Sequence, residues 1–199
     1  MEPFQIADPL HPIASGGFVP ARMPPTARPL NRPVLIEYKQ MRFLISDAPS
    51  DSNLILYMAE FQRCKVKHVV RVCDPTYATA PLEQLGMKVH DWPFGDGEGP
   101  PHTIIRQWLK LVHQQFGKDQ EAEPESTIVV HCVAGLGRAP LLVAIALIDA
   151  GMTPEDSIAY VREHKRGALN SRQTKFIMDY KPKRSFGSKR LKCPTCAIL

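Results

Sequence analysis

His131-Cys132-Val133-Ala134-Gly135-Leu136-Gly137-Arg138 sets a cysteine and an arginine six positions apart, with two glycines between them. The residues just before it, Ser126-Thr127-Ile128-Val129-Val130, are mostly apolar and β-branched and predict a buried strand. Those after it, Ala139 to Ala150, predict a helix punctuated by Gly151. A tight strand-to-helix loop aims several backbone N–H groups at one point, and the helix N-terminus adds partial positive charge there. Such a loop holds a dianion, a phosphoryl group being the obvious one. Val133, Ala134, Gly135, Leu136 and Gly137 would form the cradle, and Arg138 would grip two oxygens with its planar fork. The same field favours the thiolate of Cys132, making it a candidate nucleophile near neutral pH. A cysteine ending a core strand is more often simple packing; here strand, glycine-rich loop and helix occur in the required order, which favours the phosphate site.

A cysteine nucleophile acting on a phosphomonoester needs an acid to protonate the departing alcohol. Asp91-Trp92-Pro93-Phe94-Gly95-Asp96-Gly97-Glu98-Gly99-Pro100 offers one. Trp92-Pro93 is a stiff anchor and the glycines beyond it form a hinge, so a carboxylate there can close over substrate. Asp96, between two glycines, is the candidate acid. Asp91 is expected to end a strand, and Glu98 is the reserve. On its own this segment would read as an ordinary solvated turn; the cysteine loop changes that weighting.

Period-two and β-branched runs predict strands at about 34–38, 41–46, 68–72, 87–91 and 127–131. Leu54, Tyr57, Met58 and Phe61 form one helical face after Ser50-Asp51-Ser52-Asn53, and Ile104, Ile105, Trp108, Leu109 and Val112 form another. Thr153-Pro154-Glu155-Asp156 opens a further helix with a cap, a proline and acids in its first turn, and Ser171 to Tyr180 predicts a last one. Strands alternating with helices imply an α/β fold, a mainly parallel central sheet flanked by helices, with the site at the carboxyl end of a central strand.

Met41-Arg42-Phe43-Leu44-Ile45, Val70-Arg71-Val72-Cys73, Asp91-Trp92-Pro93-Phe94, His131 to Pro140 and Arg166-Gly167-Ala168-Leu169-Asn170-Ser171 together resemble the phosphatases of regenerating liver. These are prenylated, type IVA members of the dual-specificity protein tyrosine phosphatases. The resemblance runs from about Asn31 to the C-terminus. It implies the cysteine-based dual-specificity phosphatase fold, with Cys132 as nucleophile, Arg138 as phosphate ligand and Asp96 as general acid. It also implies that Cys73 pairs reversibly with the nucleophile as a redox partner, and that a cyclin M-type magnesium transport mediator binds the active-site face. Gly95 departs from the family, which usually carries two adjacent aspartates after Trp-Pro-Phe. Ala139 stands where most cysteine phosphatases have a Ser or Thr. Without that hydroxyl, loss of one stabilising donor can cost on the order of 2–4 kcal/mol, so slow turnover and an accumulating phosphoenzyme are expected. The apolar Val133, Ala134 and Leu136 add no cation to the loop, which favours a phosphoprotein monoester over highly charged inositol phosphates.

The first 33 residues hold eight of the nineteen prolines and no periodic apolar pattern, so they read as a disordered or extended arm. The phosphatase domain would span 34–180 and a basic tail 181–199. After Tyr180 come Lys181, Lys183, Arg184, Lys189, Arg190 and Lys192 with no acid, whereas the whole chain is only +5. Basicity is therefore a property of the tail. Cys196-Ala197-Ile198-Leu199 is a terminal C-a-a-X box, predicting prenylation of Cys196. One prenyl chain binds membranes weakly, and basic residues supply the second signal. The expected location is the cytoplasmic face of plasma or endosomal membranes, partly cytosolic; no signal peptide or spanning segment is evident. No nucleic-acid partner is expected, because the basic run lacks a binding fold and abuts the lipidation box. The Cys193/Cys196 pair has no second ligand pair, and neither metal nor cofactor is called for.

Overall fold

A computed structural model describes residues 32–117 and 125–182. The expected arm before Arg32 and most of the basic tail, Cys196 included, lie outside the described residues.

Among the described residues eleven elements follow one another: β1 (Val34–Tyr38), β2 (Met41–Ser46), α1 (Leu54–Arg63), β3 (Val66–Arg71), α2 (Ala80–Gln84), β4 (Lys88–Asp91), α3 (His102–Phe116), β5 (Thr127–His131), α4 (Arg138–Asp149), α5 (Pro154–His164) and α6 (Ser171–Asp179). The sheet order is β1-β2-β5-β3-β4, with β1 antiparallel to β2 and the other pairs parallel. β5 is central and every residue in it is buried. That is the pattern of a strand covered on both faces, and it explains the unbroken Ile128-Val129-Val130 run.

One sheet face, carrying Leu44, Val69 and Val129, packs against Leu54, Tyr57 and Phe61 of α1 and Leu82 of α2. The other, carrying Phe43, Ile45, Val70, Ile128 and Val130, packs against α3, α4, α5 and α6. α4 lies at the middle of that layer and is buried along its whole length. The predicted helix starts hold where caps are made: Thr153 accepts from the Asp156 N–H, and Asn170 and Gln173 form a reciprocal capping box. α2 was not anticipated. It is five residues long with Pro81 in its first turn and one buried residue, Leu82, too short for a helical period to show. β3 begins at Val66 rather than at about 68, because the pairing with β5 is irregular between Val66 and His68. No described helix is long and apolar enough to cross a membrane.

Candidate active site

β5 ends at His131, a loop of residues 132–137 turns sharply, and α4 begins at Arg138. Gly135 takes φ +68°, and a Cβ there would lie 2.6 Å from the Ser46 carbonyl oxygen, so no other residue fits the turn without displacement. Cys132 is 3% exposed at the start of this loop, and Arg138 is 8% exposed at its end.

The acid loop reaches over from β4. Arg138 Nη1 donates to the Phe94 carbonyl at 3.1 Å, and Arg138 Nε lies 3.3 Å from Asp96 Oδ1. The Asp96 side chain is 77% exposed, so its carboxylate stands at the mouth of the site while the guanidinium stands inside. A cavity of about 290 Å³ is lined by Asp96, Cys132, Arg138, the loop residues Val133, Ala134, Leu136 and Gly137, and by Gly167, Asn170 and Gln173. The three residues chosen for chemistry thus meet on one cavity from two separate segments. Gly135, expected in the cradle, does not line it and instead seats the loop on Ser46. Glu98 is not in the wall either; a Cβ on Gly95 would meet its Oε2 at 2.6 Å, so the Glu98 carboxylate lies back over Gly95. Asp91 ends β4, as expected, and is chelated by Arg71: Nε reaches Oδ1, and Nη2 donates to Oδ2 at 2.7 Å. Val133 (62% exposed) and Leu136 (41%) form an apolar rim around the opening.

Behind the loop, His131 is fully buried and its Nε2 lies 2.7 Å from the Tyr77 hydroxyl. Burial, reinforced by the Arg71 charge, pushes the imidazole pKa down to about 4. Burial raises the Tyr77 phenol well above its ordinary value. Both groups are therefore neutral near pH 7. Cys73 follows β3 as Cys132 follows β5, and the strands are paired at Arg71 and His131. Both cysteines are free thiols within the same core cluster. Burial pushes the Cys73 thiol up, opposed by the Arg138 charge and aided by Cys132.

Three wall residues, Gly167, Asn170 and Gln173, went unanticipated. Gln173 is fully buried, and its Nε2 has no hydrogen-bond partner although its Oε1 accepts from the Asn170 N–H. A Cβ on Gly137 would lie 3.0 Å from that nitrogen, so the free donor sits against the phosphate loop. Asn170 Nδ2 reaches the Gly97 carbonyl at 3.5 Å, linking the α5–α6 turn to the acid loop. The Asn170–Gln173 cap spacing was the only local signal. Arg166 of that turn and Arg172 in the first turn of α6 are exposed and off the cavity wall.

A family model described as protein-tyrosine phosphatase matches residues 53–180. Protein tyrosine phosphatase type IVA 3 of Bos taurus is 47% identical over 156 residues, which is 77% of this chain and 88% of that protein. Protein tyrosine phosphatase PRL-1 of Trypanosoma cruzi is 46% identical over 160 residues, 79% of this chain and 89% of that one. Among solved structures, a chain from Leishmania major assigned as a protein tyrosine phosphatase aligns with a TM-score of 0.69 at 44% identity, covering 75% of this chain and 98% of that one.

Proposed function

The chain belongs to the type IVA, or PRL, protein tyrosine phosphatases, cysteine-dependent hydrolases of dual specificity, and from that membership we propose that it works at a membrane surface through a slowly hydrolysed phosphocysteine. In the first step Cys132 attacks phosphorus as the thiolate, Arg138 holds two non-bridging oxygens, and Asp96 gives its proton to the departing oxygen. In the second, water attacks the phosphocysteine, Asp96 takes up a proton, and the Cys132 thiolate leaves with inorganic phosphate released. Ala139 offers no hydroxyl to the leaving sulfur, which makes the second step the slow one. The observation that carries this reading is the approach of Asp96 to Arg138, 3.3 Å apart over the cavity that Cys132 lines. Phosphoproteins are the substrates, and the apolar rim of Val133 and Leu136 suits apolar residues beside the phosphorylated one.

Two further parts belong to the same reading. Cys73 closes reversibly onto Cys132 under oxidation and switches the enzyme off. Prenylation of Cys196, with the tail cations, tethers the chain to the cytoplasmic face of plasma or endosomal membranes, leaving a cytosolic fraction. The test of the chemistry is rapid mixing with an aryl phosphate: a burst of phenol and a phosphoryl group trapped on Cys132 are expected. A reduced enzyme giving neither burst nor trapped phosphoryl group would refute the mechanism. Cys196→Ser tests the tether, since the variant should leave membranes.

A second reading is favoured by the same apolar rim, together with Ala139: a low-turnover phosphatase that serves mainly as a binding module for a cyclin M-type magnesium transport mediator. Asp96→Ala separates the two, because it should cripple turnover while sparing a partner complex.

A further inference from the structure

A second concavity, of about 830 Å³, runs between α3 and α6 where the acid loop enters α3. Its walls are apolar, built from Ile105 and Leu109 of α3, Phe176 of α6 and Tyr180 just beyond it. Its rim carries the cations Arg106 and Lys110, with His102 in line with them. His102, Arg106 and Lys110 succeed one another at four-residue intervals, which places them in a row along one face of the helix. All three are exposed, and neither Arg106 nor Lys110 is paired with a described acid. The acid on the opposite rim, Asp179, is ion-paired with Lys175 at 2.9 Å. Lys181 completes that rim, at the point where the chain leaves α6.

A cationic row beside an open apolar trough fits an anionic amphiphile. From Lys181 the sequence continues into Lys183, Arg184, Lys189, Arg190 and Lys192 without an acid, and then into the terminal Cys196 box. The groove is thus the part of the folded domain from which the membrane-directed tail departs, and its charge has the same sign as the tail. We propose that this groove is the face the domain lays on an anionic lipid bilayer, with lipid phosphates on the α3 cations and acyl methylenes against Leu109 and Tyr180. The proposal rests on the membrane reading given above and adds to it the orientation of the domain. Docking there also touches the chemistry: Phe176 lies so close to Gly99 that a Cβ on the glycine would be 2.3 Å from its ring, so one side chain serves both the groove and the base of the acid loop.

The test uses the full chain carrying Cys196→Ser, so that no lipid anchor dominates, and vesicles of phosphatidylserine with phosphatidylcholine or of phosphatidylcholine alone. Arg106→Gln/Lys110→Gln should lower partitioning onto the anionic vesicles by about 25-fold, at roughly fivefold for each cation near the surface. Arg63→Gln/Lys88→Gln, which removes as many exposed cations that do not line the groove, should lower it by less than about threefold. A Leu109→Trp fluorophore should shift to the blue on anionic vesicles and be quenched by brominated acyl chains. Equal losses from the two pairs would mean that charge alone matters and would overturn the proposal. So would an unquenched fluorophore, or one that responds to a polyglutamate peptide and not to vesicles. Tethering is scored separately, by the membrane fraction of the Cys196→Ser protein in cells. Failure of the vesicle experiment alone removes the docking face, and failure of the cell experiment alone removes the lipid anchor.

Discussion

The Tyr77 hydroxyl meets His131 Nε2 at 2.7 Å in the layer directly beneath Cys132. A buried phenol whose pKa is raised keeps its proton, and that proton has the imidazole nitrogen as its partner. Tyr77 therefore donates, His131 Nε2 accepts, and the imidazole proton is on Nδ1, a buried nitrogen with no hydrogen-bond partner among the described residues. Tyr77 is itself held: Arg71 Nη1 donates to its carbonyl at 2.7 Å, and the guanidinium lies 4.8 Å from the ring centroid. Asp91, Arg71, Tyr77 and His131 thus form one chain of contacts from the end of β4 to the base of the phosphate loop. Tyr77→Phe leaves Nε2 buried without a donor, which should cost about 1–3 kcal/mol of stability. Urea denaturation should show that loss, with kcat reduced and KM little changed. An unaltered denaturation midpoint would mean that the bond supports nothing.

The neutral His131 also sets a pH dependence. Its folded pKa of about 4 lies below the ordinary 6.5 of a solvated imidazole, so the unfolded chain binds the proton first as pH falls. The stabilisation is present in full above about pH 6.5 and is lost progressively toward pH 4, by up to about 1.4 kcal/mol for each pH unit. Denaturation midpoints measured from pH 7 to pH 4.5 should fall accordingly, and His131→Gln should flatten that slope relative to the parent. A parent slope no steeper than that of the variant would contradict a depressed imidazole.

Asp96 acts on two quantities in opposite directions. Asp96→Asn removes the proton donor, so kcat/KM should fall by roughly 10²- to 10⁴-fold on alkyl phosphates, and by less on p-nitrophenyl phosphate, whose leaving group needs little protonation. The same substitution deletes the anion 3.3 Å from Arg138 Nε, which competes with an incoming dianion. Vanadate should therefore bind the variant more tightly, by less than about 1 kcal/mol because the carboxylate is largely exposed. Weaker vanadate binding would show that Asp96 does not face the phosphate subsite.

What could be read from the chain was what is local. Cys132 and Arg138 belong to one loop whose strand, glycines and helix are contiguous, and Ile128-Val129-Val130 declares a strand buried on both faces. Asp96 was legible because its glycine neighbours advertise a hinge. Gln173 and Tyr77 were not, because their roles arise only on folding: Gln173 reads as a helix cap until α6 packs against Gly137, and Tyr77 lies 54 residues from the imidazole it holds. The cationic row on α3 was hidden for a related reason. His102, Arg106 and Lys110 look like an ordinary solvated face until Phe176 and Tyr180 wall in the trough beside them.

Ala139 supplies a gain-of-function test. It is fully buried at the first turn of α4, immediately after the arginine. Ala139→Ser places a hydroxyl where it can donate to the departing Cys132 sulfur, and breakdown of the phosphocysteine should accelerate by up to about a hundredfold. Steady-state kcat should rise and the phenol burst should shrink. If kcat stays constant while the burst persists, a step other than sulfur departure limits turnover.

Redox switching depends on Cys73 lying where the strand pairing puts it. Arg71 is opposite His131 in the parallel β3–β5 pair, and the Val72 N–H donates to the His131 carbonyl at 3.0 Å, so Cys73 and Cys132 leave the sheet from adjacent strands. Peroxide should oxidise Cys132 to a sulfenic acid, and attack by the Cys73 sulfur should then form the disulfide and expel water. Burial holds the Cys73 thiol pKa above its ordinary value, so little of it is thiolate at neutral pH and closure should accelerate as pH rises. The oxidised parent should lose two hydrogens by mass and regain activity on addition of dithiothreitol. Cys73→Ser lacks the resolving sulfur, so its Cys132 should proceed to the sulfinic acid and recover little activity. Equal recovery by both proteins would show that Cys73 is packing alone.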